Sequence, residues 1–267
     1  MKRIQLFEFE DQSWFPDALR ISLTRLIMVL HRLTGLSPII KRELDDLMQK
    51  SNRRKVIDMG SGAGGAMEDV HQLYVKSNES IEILLSDLYP NQKTIARINA
   101  QNYAGLKYHN TSVDAAETKT VPDGIRTMLN SFHHMPPAKA KDILRSAKES
   151  NQPIMIYEMA ENKIPLLLWW LFLPLSLVIL VVMVLFMTPF VRPLTPVQLL
   201  LTYIIPVIPL TYAWDGQASL PRIYTLEDID VLLEDLRSDD YVWEKAPALN
   251  EKGKKQGYYL KGYPKTV

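Results

Sequence analysis

The chain of 267 residues contains no cysteine. Disulfide bonds, catalytic thiolates and cysteine-ligated metal sites are therefore excluded. An excess of charge is also missing, because 31 basic and 30 acidic side chains leave a net charge of +1. That balance gives no reason to expect a nucleic-acid partner. The five histidines show no metal-ligand spacing such as HExxH, so we expect no bound metal.

One long segment is almost free of charge. Within residues 164–214, Arg192 is the only charged side chain, and residues 166–186 carry a single hydroxyl group. A surface helix would be polar on one side, and about 20 apolar residues are enough to cross a bilayer. The segment therefore predicts membrane association. Acidic residues near the N-terminus are unlike a signal peptide, so we expect the body of the protein on the cytoplasmic side.

The rest of the chain alternates strand and helix patterns. Residues 13–50 have the three- and four-residue apolar spacing of helices, and residues 225–236 resemble a capped helix. Such alternation predicts a mostly parallel sheet that is covered on both faces. Short apolar runs predict strands at 55–59, 81–87, 106–114, 124–130 and 153–159, and a C-terminal hairpin follows in the last 30 residues.

These patterns divide the chain into four parts. They are an N-terminal helical lid (1–50), an α/β core (51–163), a hydrophobic helical insert (164–214) and a C-terminal completion of the core (215–267). Because the fifth strand precedes the insert and the hairpin follows it, the chain must leave and return on one side of a membrane. A single crossing is excluded, whereas a two-span hairpin, a re-entrant segment and a surface-lying insert all remain open.

A glycine cluster follows the first predicted strand. Asp58 ends that strand, and GSGAGG (60–65) leads into a helix. A loop without side-chain bulk lets backbone N–H groups approach a ligand at a helix N-terminus. Within it, G-x-G-x-x-G satisfies the dinucleotide fingerprint, with Asp87 as a ribose ligand. An NAD(P)-dependent oxidoreductase is therefore one interpretation.

The same stretch, Asp58-x-Gly60-x-Gly62-x-Gly64, resembles motif I of the class I S-adenosylmethionine-dependent methyltransferases. SVDAAE after the third strand, NSFHHM after the fourth and the C-terminal hairpin resemble other parts of that superfamily. The segments FEFEDQSWFPDALR and WDGQASLPRIYTLEDI are similar to a little-characterised, membrane-associated bacterial subgroup.

The resemblance implies a Rossmann-like α/β fold. Its sheet would be seven-stranded and mostly parallel with an antiparallel last strand, and the hydrophobic insert would lie between strands 5 and 6. The implied cofactor is S-adenosylmethionine, with glycines at its methionine end, Asp87 on the ribose, Asp114 at the adenine amine and Asn130 beside the reacting centre. The implied cofactor-binding residues are Asp58, Gly60, Ser61, Gly62, Gly64, Asp87, Leu88, Asp114, Ala115 and Asn130.

The acceptor side is less defined. His133 and His134 are candidate catalytic bases, because an acceptor hydroxyl or ammonium must lose a proton. A histidine hydrogen-bonded at a strand–loop junction, a structural ion pair and an ordinary packing helix are the alternatives. The candidate substrate-binding residues are Trp14, Phe15, Glu158, Asp215 and Arg222.

We therefore expect a methyltransferase that acts at the membrane surface on a small, lipophilic acceptor. Its expected partners are that acceptor and the lipid bilayer. The alternatives are the NAD(P)-dependent oxidoreductase and a non-catalytic membrane-anchored protein.

Overall fold

The computed structural model describes residues 1–265. They contain one seven-stranded sheet with the strand order β3-β2-β1-β4-β5-β7-β6. The first five strands are parallel, and β7 runs antiparallel between β5 and β6. The strands are β1 (Lys55–Met59), β2 (Glu82–Ser86), β3 (Leu106–Tyr108), β4 (Ile125–Leu129), β5 (Ile154–Glu158), β6 (Tyr241–Leu249) and β7 (Lys255–Pro264).

Helices cover both faces of this sheet. Apolar residues of α2, α3 and α4 form the core on one face, and those of α5 and α9 form the core on the other. The helices are α1 (Asp17–Thr34), α2 (Leu36–Ser51), α3 (Gly65–Lys76), α4 (Gln92–Ala100), α5 (Pro137–Glu149), α6 (Leu166–Met187), α7 (Pro196–Leu199), α8 (Val207–Arg222) and α9 (Leu226–Leu233).

The predicted fold class is confirmed. The sheet is mostly parallel, its last strand is antiparallel, and the insert lies between β5 and β6. Dinucleotide-binding folds have the order 3-2-1-4-5-6 without an antiparallel strand inserted beside strand 5. The predicted strand at 106–114 is shorter than expected. β3 ends at Tyr108, and the chain then turns so that Val113 N–H donates to the Asp87 carbonyl at 2.9 Å.

The insert begins with α6, which is apolar all round but buries only one stripe. Its four buried residues lie on one side of the helix and pack toward α8 and α1; they are Trp169, Leu173, Val184 and Met187. The indole of Trp169 donates to the Gln217 carbonyl, and Val184 and Met187 join a core cluster with Leu23 and Leu26 of α1. Both ends of α6 are therefore fastened to the body of the protein.

The return of the insert is not a straight helix. The stretch Pro196–Ile204 and helix α8 meet at an angle of 78°, with the break at Ile205 and Pro206. The predicted boundary at residue 214 falls inside α8, which continues unbroken to Arg222. The composition changes at Asp215 because that side chain faces the body, and the helix itself does not end there.

We expect Gly257→Ala to destabilise the protein by on the order of 3–5 kcal/mol. Gly257 has φ +83°, and an added Cβ would lie 2.0 Å from the Glu158 carbonyl oxygen of β5. Gly253 is the matched control: it has φ +70°, and no heavy atom of residues 1–265 lies within 4 Å of its Cβ position. Gly253→Ala should cost only about 1 kcal/mol. Equal losses in urea unfolding would contradict the close β5–β7 approach.

Candidate active site

Asp58 fixes the glycine loop to the sheet. Its buried carboxylate accepts hydrogen bonds from Ser61 Oγ at 2.6 Å and from Thr127 Oγ1 at 2.7 Å. Ser61 also donates to the Asp58 carbonyl, and Ser86 does the same from β2. The predicted cofactor residues Asp58 and Ser61 thus shape the loop from below and are themselves buried.

The loop needs glycine for two different reasons. Gly60, Gly62 and Gly64 all have positive φ, the left-handed region that side chains disfavour. At Gly64 an added Cβ would lie 2.1 Å from Glu68 Oε1. At Gly62 no heavy atom of the described chain lies within 4 Å of that position, and the residue is exposed. The loop therefore presents open backbone at its tip.

Asp87 lies directly against this open tip. Its Oδ2 accepts a hydrogen bond from Gly62 N–H at 2.9 Å, and its Oδ1 accepts one from Tyr89 N–H at 2.8 Å. The next residue, Leu88, is exposed. Tyr108, which sequence reasoning missed, donates its hydroxyl to the Gly62 carbonyl at 2.9 Å and holds the other side of the loop.

Asp114 and Ala115 follow at the same edge. The hydrogen bond between Val113 N–H and the Asp87 carbonyl brings this turn beside the end of β2. Asp114 accepts from Lys139 Nζ at 2.6 Å and from Ala116 N–H at 2.9 Å, and Ala115 is half-buried. Lys139, on α5, is a neighbour that the sequence did not suggest.

Asn130 follows β4 in the left-handed conformation, with φ +53°. Its Oδ1 accepts from Met159 N–H at 2.7 Å, which orients the amide so that Nδ2 donates to His31 Nε2 at 3.1 Å. The His31 imidazole is therefore neutral, and burial lowers its pKa to about 4. Its Nδ1 has no hydrogen-bond partner within residues 1–265. His31 belongs to α1, far from the motifs, and no local signal identified it.

The two candidate bases lie on the 3₁₀ turn that follows Asn130. His133 is buried, and its Nδ1 donates to Glu158 Oε2 at 2.8 Å. Glu158 Oε1 accepts from His133 N–H at 3.0 Å. Glu158, which is predicted to bind substrate, orients His133 and leaves the lone pair of that imidazole on Nε2.

His134 meets the N-terminal segment, residues 1–16. Its Nδ1 lies 2.8 Å from Asp11 Oδ1 and 3.1 Å from Glu8 Oε2. The same two carboxylates bind Arg222, with Nη1 3.0 Å from Glu8 and Nη2 2.6 Å from Asp11. Arg222 is fully buried. It serves as the counter-ion of this segment, and its guanidinium does not face solvent as a substrate ligand would.

The remaining predicted substrate residues lie against the N-terminal segment, as Asp215 does, or within it, as Trp14 and Phe15 do. Asp215 accepts from the N–H groups of Phe9 at 2.8 Å and Glu10 at 3.1 Å. Phe15 is buried in the cluster that joins α1 to the insert, so it packs as an ordinary helix residue. Trp14 is 63% exposed and meets Phe9 edge-on.

No protein-family model matches the chain, and no curated protein matches it in sequence. Among solved structures it is similar to the methyltransferase domain of bacterial CtHen1, with 9% identity over 85% of this chain and 97% of that one (TM-score 0.47). It is similar to the mitomycin 7-O-methyltransferase MmcR, with 12% identity over 80% of this chain and 50% of that one (TM-score 0.44). It is also similar to a pericyclic reaction enzyme, with 12% identity over 79% of this chain and 43% of that one (TM-score 0.44). The chain spans about half of the length of these last two. The seven-stranded sheet with its antiparallel β7 is the sheet that the resemblance to the class I methyltransferases implies.

Burial of Asp58 makes the stability of the ligand-free protein depend on pH. Desolvation raises the pKa of this carboxyl from 3.8 to about 6, although Ser61 and Thr127 donate hydrogen bonds to it. Between those two pKa values the folded state holds a proton that the unfolded state has lost. The contribution of Asp58 to stability is therefore greatest at pH 4 or below, and it falls as pH rises through 6.

We expect the free energy of unfolding, wild type minus Asp58→Asn, to fall by about 2–3 kcal/mol between pH 4 and pH 7. Urea unfolding of both proteins at the two pH values measures this difference. Asp123→Asn is a control at an exposed site, and its difference from wild type should not follow the same curve. A constant difference for Asp58→Asn would show that this carboxylate ionises in the folded protein at its ordinary pKa.

Proposed function

We propose that the chain is a class I S-adenosylmethionine-dependent methyltransferase. The observation that carries the proposal is the bond between Asp87 and the exposed Gly62 N–H, at the carboxyl edge of a sheet whose β7 is antiparallel. Ligands of open α/β sheets bind at that edge. A carboxylate there suits the two hydroxyl groups of a ribose.

The same bond argues against a nicotinamide dinucleotide. The pyrophosphate of a dinucleotide uses free N–H groups of the glycine loop. Here Gly62 N–H already donates to Asp87, and the carboxylate would repel a phosphate. A nucleoside with a sulfonium group carries no phosphate, and no heavy atom of the described chain lies within 4 Å of the Cβ position of Gly62. When bound, that cofactor supplies an electrophilic methyl group.

The residues of the chain have distinct tasks in this proposal. Asp87 would hold the ribose, and Asp114 would accept from the adenine amine through the oxygen that otherwise accepts from Lys139. Asn130 and His31 close the site from the side of β4 and α1. On the acceptor side, His133 and His134 are the residues whose nitrogen lone pairs can take a proton or bind a cation.

We expect Asp87→Asn to weaken the affinity for S-adenosylhomocysteine by about 10–100-fold. The amide oxygen can still accept from Gly62 N–H and keep the loop in place, but the charge that binds the ribose hydroxyls is lost. Isothermal titration measures the affinity, and Asp69→Asn, at a surface ion pair with Arg32, is the control. Unchanged affinity in Asp87→Asn would refute the assignment of the ribose site, and binding of NAD alone would favour the oxidoreductase.

We further propose that the insert associates with a lipid bilayer, with the body of the protein on the cytoplasmic side. Of the residues described, Leu166–Phe190 is the one helical stretch long and apolar enough to cross a membrane. Two sharply bent helix pairs are also long and apolar enough, but only if each pair is counted as one span. Its exposed apolar side chains include Leu167, Leu171 and Phe186, which are 80%, 67% and 73% exposed. Such a surface is stable against lipid tails and costly in water.

The attachments of α6 favour a surface-lying insert over a spanning hairpin. A helix of 25 residues is about 37 Å long and matches a bilayer core of about 30 Å. Yet Trp169 near its start and Met187 near its end both contact the body, which lies in water. The exposed face of α6 would then rest among the acyl chains while the buried stripe stays on α8 and α1.

This arrangement supports a small, lipophilic methyl acceptor. Helix α1 contacts the insert through Leu23 and Leu26 and reaches Asn130 through His31. Helix α1 therefore joins the insert to the proposed reacting centre by direct contacts. An acceptor dissolved in the membrane would enter the site beside this helix.

We expect the pair of substitutions Leu171→Glu and Val178→Glu to lower vesicle binding by about 100-fold or more. Both residues are well exposed on α6, so the folded state should be unaffected, but two charges would enter the lipid. Sedimentation with phospholipid vesicles measures the bound fraction. The control pair is Val231→Glu with Leu249→Glu, exposed residues of α9 and β6. Vesicle binding that the first pair leaves intact, or a lipid-free dimer that buries α6, would contradict the proposal.

A further inference from the structure

We infer a binding site for a divalent transition-metal ion of the Zn²⁺ type, formed by Glu8, His133 and His134. One carboxylate oxygen of Glu8 and one ring nitrogen of each histidine lie within 4.8 Å of one another. Imidazole nitrogen and carboxylate oxygen are ligands that zinc and its neighbours prefer. The inference does not depend on the proposed cofactor.

The first support is an unpaired buried oxygen. Glu8 is only 1% exposed, and its Oε1 has no hydrogen-bond partner within residues 1–265. The other oxygen, Oε2, accepts from Arg222 Nη1 at 3.0 Å and lies 3.1 Å from Nδ1 of His134. A buried carboxylate oxygen without a donor is costly, and a cation bound at Oε1 removes that cost while Arg222 keeps its own contact.

The second support is the way in which carboxylates hold the two imidazoles. Glu158 accepts the Nδ1 proton of His133 at 2.8 Å, so the free lone pair of that ring lies on Nε2. Asp11 lies 2.8 Å from Nδ1 of His134. Metal-binding histidines usually contact a carboxylate or carbonyl in this manner, which fixes the ring and raises its basicity. The two rings are already gathered, with centroids 4.3 Å apart.

The third support is charge. The charged groups in contact with Glu8 and the two histidines are the carboxylates of Asp11 and Glu158 and the guanidinium groups of Arg222 and Arg3, the last of which donates to the His133 carbonyl at 2.7 Å. Apart from the imidazoles, three carboxylates and two guanidinium groups leave an excess of one negative charge. This excess favours a cation in a largely buried place.

The ion would join two distant parts of the chain. Glu8 belongs to the N-terminal segment, whereas the histidines follow β4 beside Asn130. Three protein ligands leave a coordination position for water or for an acceptor oxygen, whose pKa the metal would lower. The imidazoles would then act as ligands, and an acceptor hydroxyl bound at that position would lose its proton to solvent water and not to a histidine.

The test uses the full chain with any histidine tag removed, after treatment with a chelator. Titration with ZnCl₂ near neutral pH should give one equivalent bound with a Kd below about 1 µM. Co²⁺ at the same site should produce visible absorption bands that zinc displaces. Glu8→Gln and His134→Gln should each weaken binding by about 100-fold, and Glu158→Gln by about 10-fold through the orientation of His133.

His109→Gln is the matched control, because His109 makes its hydrogen bond to Thr111 at the other end of the sheet edge. Circular dichroism establishes that each variant is folded. Uptake of well under one equivalent by the wild type would overturn the inference. Equal affinity in the wild type and in Glu8→Gln would also overturn it. Titration with S-adenosylhomocysteine is separate, so a chain that binds zinc but not this nucleoside retains the metal site and loses the proposed function.

Discussion

The buried carboxylate of Asp58 is the interaction on which the rest of the site depends. This carboxylate accepts one hydrogen bond from the Ser61 hydroxyl of the glycine loop and one from the Thr127 hydroxyl of β4. The backbone carbonyl of Asp58 accepts a further hydrogen bond from the Ser86 hydroxyl of β2. Three neighbouring strands are thereby registered at their carboxyl ends. Because Asp87 and Asn130 directly follow two of these strands, their positions around the loop are consequences of the same contact.

The acceptor side is built on a different principle. Ionic contacts there join the N-terminal segment, the turn after β4, the end of β5 and the end of α8. Buried ion pairs contribute little net stability, since desolvation offsets most of the attraction, but removing one partner leaves an uncompensated charge. Glu8 and Arg222 therefore specify where the segment lies more than how strongly it is held. The insert completes the same region through α8, which carries Asp215.

Much of the fold could be predicted from the sequence, because strand runs, helix spacing and the glycine cluster are local signals. The roles of Asp87, Asp114 and Asn130 are implied by the resemblance to the class I methyltransferases, and the three residues follow parallel strands, at the edge where ligands of such sheets bind. No local pattern indicates Glu8, Asp11 or His31, because their partners lie about 100 residues away in the chain or more. The predicted boundary at 214 follows the change of composition, and that change falls inside α8 because one helix continues from the apolar insert into the body.

The order of the strands has a consequence for how the protein is made. β5 ends at Glu158, and its outer neighbour β7 does not begin until Lys255. While the chain is being synthesised, the edge of β5 stays unpaired during the emergence of the whole apolar insert. An unpaired edge invites association with other chains. The apolar helices of the insert thus leave the ribosome before β7 is available to complete the sheet. Pairing of β7 with β5 then requires the chain that follows the insert to return to the sheet after those helices have packed or bound a membrane.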